Sequence, residues 1–360
     1  MSTKQNVLQS LLSLKDGEFL SGEELALSCS VSRTAIWKTI RALISEGYKI
    51  EAITNRGYRI LSQPDKINSS EIQSYLIKNG ILDAKIFCFK EIDSTNSEAK
   101  RRAVEVGAFR DSDGNLTEKG KETHLSLFVA ESQTGGKGRL GRVFVSPKDC
   151  GVYFSLLYSP RTGIKNPALY TATAAVSVSR AIQKFYSENC EIKWVNDVFL
   201  AGKKISGILV EGIANFETGN IDAAVVGIGI NIQKNSALTG EITKIAGSIE
   251  EAKISKGEKF IPCKKNLLIA EVVKNLVKFY NAFENGDEVL KKNIIEEYRA
   301  KSLLIGKTVT VNPVAGIKGE TYKAKVLSVN EEIKLVVECE NGETRELSSG
   351  EVSLHSYDFV

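Results

Sequence analysis

The sequence predicts an α+β chain built in three sections, and three observations predict it. Residues 1–62 show helical apolar spacing broken by serine caps and end in an alternating hairpin pattern. Residues 71–302 interleave apolar strand runs with amphipathic helical stretches, which is mixed-sheet α/β content. Residues 303–360 carry only short β-rich runs separated by turn formers.

In the first section Val7, Leu8, Leu11, Leu12 and Leu14 keep helical spacing up to Asp16-Gly17, a stop signal. Ser21 with Glu23 and Glu24 behind it reads as an N-cap with acids in the first turn, opening a short helix to about Ser28. After the turn Cys29-Ser30-Val31, Ser32 caps a further helix whose Ala35, Ile36, Ile40, Leu43 and Ile44 keep the period. Two short helices joined by a tight turn form the helix-turn-helix pattern. Ser32, Arg33, Thr34, Trp37, Lys38 and Arg41 make the polar side of the second helix, where side chains can meet phosphates and base edges in a major groove. Residues 48–60 alternate and turn at Asn55-Arg56-Gly57, a hairpin with Arg56 at its tip, as in winged helices. The pattern also occurs in small interaction domains, but the wing and the basic face together predict DNA. Residues 63–70 read as a linker rich in turn formers.

In the central section, 85–90, 125–131, 151–158, 205–211 and 223–232 read as strands, and 94–103, 168–186, 264–284 and 289–301 as helices. Residues 107–124 are polar and read as an inserted, mobile loop. In the tail, 308–311, 321–327, 335–339 and 344–347 read as strands, with Asn341-Gly342 a strong hairpin turn; a small SH3-like β-barrel fits.

The 360 residues exceed one typical core, and the 42% hydrophobic and 26% charged content is that of a soluble globular chain. A net charge of +4 neither demands nor excludes nucleic acid. Six scattered cysteines without a C-x-x-C pair, and only two histidines, argue against structural zinc and a disulfide framework. Free thiols, together with the absence of an apolar leader or a run long enough to cross a bilayer, predict a cytoplasmic protein.

The chemistry is concentrated in Gln133-Thr-Gly-Gly-Lys-Gly-Arg-Leu-Gly-Arg142. Glycines after a strand let backbone N–H groups approach an anion, and Lys137, Arg139 and Arg142 add full positive charge. It is neither a Walker A loop nor a dinucleotide fingerprint. Taken alone such a loop is more often a solvated connection than a phosphate site, so its weight comes from the other motifs. Lys193-Trp-Val-Asn-Asp197 and Lys204 lie on a hairpin that turns at Ala201-Gly202, with polar groups set among apolar neighbours. There Asp197 can hold Mg²⁺ between phosphates, and Lys204 can stabilise charge developing on an α-phosphate. Ser94-Thr-Asn96 opens a helix and offers more donors and acceptors than capping needs. Gly227-Ile-Gly-Ile-Asn231 is a strand allowing close backbone approach.

In order and spacing, Ser94-Thr-Asn96, Gln133 with 136–142, 193–197, 204–207 and 227–231 resemble the motifs of biotin protein ligases. The helix-turn-helix in front and Ser349-Gly-Glu-Val-Ser-Leu354 behind resemble the bifunctional bacterial form, which is also the biotin operon repressor. The resemblance covers nearly the whole chain. It implies a central domain of the biotin/lipoate ligase type and two half-reactions: biotin and ATP give biotinyl-5′-AMP and pyrophosphate, then a lysine of a biotin carboxyl carrier protein attacks the mixed anhydride. It implies Mg²⁺, operator DNA as a partner, biotinyl-5′-AMP as corepressor and a homodimer on DNA. By the same resemblance, Ser94, Thr95, Asn96 and Gln133 hold biotin, and Gly136, Lys137, Gly138, Arg139 and Arg142 belong to a loop closing over the adenylate. Lys204 and Arg139 carry the chemistry; Trp194, Asn196, Gly207 and Asn231 line the pocket, and Asp197 sits near the metal. The chain departs from the family pattern at Lys137 and Leu140, where arginines are usual, at Val195 in place of proline, and in the 107–124 insertion.

Overall fold

The computed structural model describes residues 3–15, 17–62, 66–82, 84–107, 109–111, 113–161, 163–215, 219–236, 238–313, 319–348 and 352–354. Asp16 of the first stop signal, linker residues 63–65, Ala108 and Ser112 of the insertion, and Ser349 to Glu351 lie outside the described residues. The chain divides into two compact units, residues 1–82 with 264–270, and 83–263 with 271–360. None of the described helices is long and apolar enough to cross a membrane.

The first unit contains α1 (Thr3–Ser13), α2 (Gly22–Cys29), α3 (Arg33–Ser45), the antiparallel pair β1 (Lys49–Ile53) and β2 (Gly57–Ser62), and α4 (Ser69–Lys78). Ser21 and Glu24 form a reciprocal capping box, Ser30 takes the left-handed conformation that ends α2, and Ser32 Oγ accepts from Ala35 N–H. Val7, Leu8, Leu11, Leu25, Ile36, Ile40, Leu43 and Tyr48 close one core, as the apolar spacing predicts. Ile44 does not join it and is 45% exposed. Leu20 and Tyr58 exchange backbone hydrogen bonds at 3.1 and 2.8 Å, adding a third chain to the hairpin. Gly57 is required there: its φ is +107°, and a Cβ would stand 2.1 Å from Leu20 O.

The second unit holds β3 (Ile86–Ile92), α5 (Thr95–Val106), α6 (Glu118–Thr123), β4 (Ser126–Gln133), β5 (Gly151–Tyr158) and α7 (Pro167–Tyr186). It continues through β6 (Glu191–Lys193), β7 (Asp197–Leu200), β8 (Lys203–Ala214), β9 (Ile221–Asn231), α8 (Ile242–Ile245) and α9 (Ile249–Ser255) to α10 (Lys265–Glu284, its first residues in the other unit) and α11 (Glu288–Ala300). The seven strands run in the order β3-β4-β5-β9-β8-β7-β6, and only β3 and β4 are parallel. Period-two alternation gives the sheet two working faces. Phe128, Leu157, Ala223 and Val225 pack under Ala99 and Ala103 of α5. Tyr158, of opposite parity, meets Tyr170 of α7 and Tyr280 of α10 on the reverse face. By the same parity, Ser155, Gly227, Gly229 and Asn231 fall on the α5 face with Leu157 and Val225.

The tail forms a five-stranded antiparallel sheet, β10 (Thr308–Pro313), β11 (Tyr322–Val329), β12 (Leu335–Cys339), β13 (Thr344–Leu347) and β14 (Val352–Leu354), in the order β13-β12-β11-β10-β14. Asn341-Gly342 makes the expected turn, with Gly342 N–H on Cys339 O at 2.9 Å.

Residues 107–124 are not all loop: among those described, Glu118–Thr123 forms α6 and Phe109 is buried. Thr117 caps α6, Phe109 is 2% exposed within the α5 core, and the Arg110 guanidinium meets Asp222 at 3.2 Å with both side chains almost covered. Arg110 also donates to the carbonyls of Pro160 and Arg161. A buried aromatic and a paired arginine are anchors that composition does not reveal in a polar segment.

Candidate active site

The start of α5 forms one end of the site. Ser94 caps it, and Thr95 N–H and Oγ1 donate to Gln133 Oε1 at 2.8 and 3.2 Å. Gln133 Nε2 donates to Ser146 Oγ at 2.9 Å. Ser155, buried on β5, donates within 2.6 Å of Asn96 Oδ1 and 2.7 Å of Thr95 Oγ1, while Asn96 Nδ2 donates to Glu211 at 2.8 Å and Leu209 O at 3.2 Å. The Asn96 amide fits because Gly227 faces it: a Cβ there would stand 2.0 Å from Oδ1. Asp93, just ahead, is held down to about 2 by the Arg101 guanidinium.

The glycine-rich loop leaves β4 and folds back on itself. Phe144 N–H bonds Gly136 O at 2.9 Å and Gly138 N–H bonds Arg142 O at 2.7 Å, around a tight turn at Arg139–Gly141. Gly136 is closely packed, since a Cβ would stand 2.3 Å from Phe144 O, and it is not among the residues lining the cavity described below. The Phe144 ring rests on β9, where a Cβ at Gly229 would stand 2.4 Å away. Arg139 turns inward and donates to Asn196 Oδ1 at 3.1 Å. Burial pulls its guanidinium below its ordinary value, Asp197 opposes this, and Arg142 adds to it. Leu140 and Val143 remain exposed.

The turn between β6 and β7 supplies the third group. The Trp194–Val195 peptide is cis. Trp194 is 6% exposed and its Nε1–H donates to Ile333 O at 2.8 Å, so the indole borders the cavity with its polar atom already used. Asn196 Nδ2 donates to Ile208 O at 2.8 Å. Lys204 Nζ lies 2.7 Å from Asp197 Oδ1, in ionic contact but out of line for a hydrogen bond, so that carboxylate oxygen has no aligned donor. Asn231 donates to Gly247 O at 3.0 Å.

The glycine-rich loop and the β6–β7 turn border a cavity of about 260 Å³ lined by Lys137, Gly138, Arg139, Arg142, Lys193, Asn196, Asp197, Lys204, Gly207 and Asn231. A smaller adjoining hollow is lined by Ser94, Thr95, Asn96 and Gln133, and the two share Lys137, Phe144, Gly207 and Leu209. Arg139 and Lys204 thus line the larger hollow and neutral hydrogen-bonding groups the smaller, with Lys137 on the wall of both. Among the described residues no group of three or more His, Cys, Asp or Glu gathers, so Asp197 is the single predicted carboxylate available to a metal there.

Sequence reasoning missed Phe144, Ser146, Ser155 and Glu211. The signal for Ser155 was a lone hydroxyl in the apolar run Val152-Tyr-Phe-Ser-Leu156. It also missed the apolar wall of Leu238, Ile242 and Ile245, for which no sequence motif exists.

On the first unit, Ser32, Arg33, Thr34, Trp37, Lys38 and Arg41 are all exposed along α3, and Arg41 lies 5.5 Å over the Trp37 ring. Arg56 at the hairpin tip is exposed and lies 4.5 Å over Phe19.

The model of the biotin/lipoate A/B protein ligase family matches residues 107–231, and that of an HTH domain matches residues 4–59. The bifunctional ligase/repressor BirA proteins of Bacillus subtilis and Bacillus spizizenii are each 30% identical over 354 residues, covering 98% of this chain and 99% of theirs. The biotin protein ligase of Aquifex aeolicus in complex with biotin and ATP aligns with a TM-score of 0.57 at 26% identity, over 75% of this chain and 98% of that one. Similarity of this kind along both units, meeting a cation-lined cavity in one and an exposed basic helix in the other, means that the chain belongs to the bifunctional ligase/repressor group of the biotin protein ligase family.

Proposed function

We propose that this chain activates biotin with ATP, passes it to a lysine of a biotin carboxyl carrier protein, and represses biotin genes with biotinyl-5′-AMP as corepressor. The observation that carries the reading is the adjacency of the two hollows, neutral donors and acceptors lining the smaller, Arg139 and Lys204 the larger, and Lys137 the wall they share. Ser94, Thr95, Asn96 and Gln133 hold the ureido ring and its neighbours. A biotin carboxylate oxygen attacks the α-phosphorus, the bond to pyrophosphate breaks, and the cations offset the repulsion of two anions. Positioning supplies much of the remainder. The carrier amine then attacks the acyl carbon, AMP leaves with the bonding pair, and the amine loses a proton. No enzyme nucleophile is required. Arg139 and Lys204 act at the phosphate; Gly138, Arg142, Trp194, Asn196, Gly207 and Asn231 shape the enclosure that keeps water from the anhydride. Asp197, whose side chain borders the cavity beside Lys204, would hold a Mg²⁺, and the ion would supply charge neutralisation there.

The exposed basic face of α3 and the Arg56 wing are the operator-reading surface, used as a homodimer on DNA in the cytoplasm. The domain reading is a winged helix to residue 62, a linker, a ligase domain to 302 and an SH3-like barrel from 303; the antiparallel order of the tail strands supports the last part. Incubating the protein with biotin, MgATP and a carrier domain should release pyrophosphate and label the carrier. If neither occurs while biotin still binds, the protein is a ligand-sensing repressor without catalysis, the alternative that Lys137 and Leu140 favour. Removing residues 1–62 should abolish operator binding and spare ligation.

A further inference from the structure

We infer that the β11–β12 turn of the tail sheet, residues 330–334, is a positioning element of the adenylating site and acts through Trp194. The inference rests on the function proposed above. Asn330 Oδ1 accepts from Glu332 N–H at 3.0 Å and Lys334 N–H at 2.9 Å, and Asn330 N–H bonds Lys334 O at 3.0 Å. This closed turn forces Ile333 to φ +64°, a conformation that β-branched residues avoid. Glycine or asparagine would sit there without strain. Burial of the side chain, which is 1% exposed, offsets the cost. The consequence is the direction of the Ile333 carbonyl, which accepts the Trp194 indole N–H at 2.8 Å.

Trp194 opens the turn that carries Asn196 and Asp197 to the cavity. That turn is held again one residue on, where the buried Tyr298 hydroxyl donates to Val195 O at 3.1 Å. It is held a third time where Asn196 and Ile208 exchange bonds at 2.8 and 3.0 Å. Arg299, the neighbour of Tyr298 on α11, donates to Val329 O at the head of the 330–334 turn. One helix end therefore grips both turns, and the indole N–H joins them directly. Asn196 in turn receives Arg139 Nη1 at 3.1 Å. The tail sheet thus sets the nucleotide end of the site, while the biotin end, built on α5 and β5, makes none of these contacts. Strain held at a position that aims one carbonyl is the form a positioning device takes.

Trp37 and Trp194 are the two tryptophans of the chain, so Trp37→Phe leaves Trp194 as sole fluorescent reporter. In that background, Asn330→Ala removes the acceptor that closes the turn and Asn330→Asp keeps it. Trp194→Phe, in the natural chain, keeps the ring and deletes the N–H. Asn330→Ala should shift Trp194 emission to the red and raise the calorimetric Kd for ATP and lower kcat/KM for ATP roughly three- to tenfold, the range of one net hydrogen bond. Biotin Kd should stay within about twofold on the same scale, and Asn330→Asp should restore all readouts. Trp194→Phe should reproduce the ATP-side loss. An unchanged ATP Kd and kcat/KM in Trp194→Phe overturns the inference. So does a parallel loss of biotin and ATP binding in Asn330→Ala that Asn330→Asp does not rescue, since that marks a general structural role. A parent protein that binds ATP but releases no pyrophosphate counts against ligation itself, and the ATP Kd series still decides the positioning role.

Discussion

Gly227→Ala offers a sharp test of the site geometry, because its sign depends on one contact. Gly227 lies in β9 with ordinary extended backbone, so alanine meets no conformational barrier there. Without neighbours, the change should stabilise by about 0.4–1 kcal/mol through the unfolded chain. The neighbour reverses this. The new methyl would stand 2.0 Å from Asn96 Oδ1 and 2.7 Å from Cγ, and the asparagine cannot yield freely. It donates to the Glu211 carboxylate and Leu209 O and accepts from Ser155. Swinging out forfeits one charge-assisted bond, about 1.5–3 kcal/mol, and two neutral ones at about 1 kcal/mol each. Staying costs the overpacking penalty, about 1–3 kcal/mol. The cheaper route prevails, so the net loss is about 2 kcal/mol, and on either route Asn96 moves beside Thr95 and Gln133. Biotin affinity should fall about tenfold, equivalent to about 1.4 kcal/mol. Denaturant unfolding and calorimetry with biotin measure both effects. Adding Asn96→Ala should relieve the clash, giving a coupling of about 1–2 kcal/mol in the double-mutant cycle. A Gly227→Ala protein as stable as the parent, with unaltered biotin affinity, would refute the packing argument.

Three further predictions follow from the same structure. Phe109→Ala should destabilise the ligase unit by about 3–5 kcal/mol, since the ring is 2% exposed; a change below about 0.5 kcal/mol would return residues 107–124 to the status of a solvated loop. Lys204→Ala should slow adenylate formation far more than it weakens biotin binding, because Lys204 stands at the cationic end; equal losses in single-turnover rate and biotin Kd would contradict a role at the phosphate. Arg139→Gly should release biotinyl-5′-AMP prematurely by removing the Arg139–Asn196 bond that ties the loop to the β6–β7 turn, and unchanged retention of radiolabelled adenylate would argue against that tie.

Much of the molecule is legible wherever the physics is local. The caps at Ser21 and Ser32, the period of Ile36, Ile40 and Leu43, and the turns at Gly57 and Asn341-Gly342 each depend on a few adjacent residues, and each forms where expected. The candidate site is legible as scattered polar groups whose burial needs a reason: Ser94 to Asn96, the cationic loop, Lys204. The insertion is misread because composition cannot show that Phe109 finds the α5 core or that Arg110 finds Asp222, 112 positions away in the chain by subtraction.

While the helices at 69–78, 118–123 and 249–255 escape it, the sequence by itself determines the longer strands and helices, the exposed basic helix and the inventory of charges that a carboxylate and a nucleotide would need. Those follow from periodicity, capping and residue chemistry. Tertiary structure alone decides which groups face one another: Ser155 and Glu211 around Asn96, Phe144 over Gly229, Leu238, Ile242 and Ile245 as a wall, and Ile333 O on Trp194. These are contacts between distant segments, set by strand register and sheet face, and no local rule of propensity or spacing contains that information.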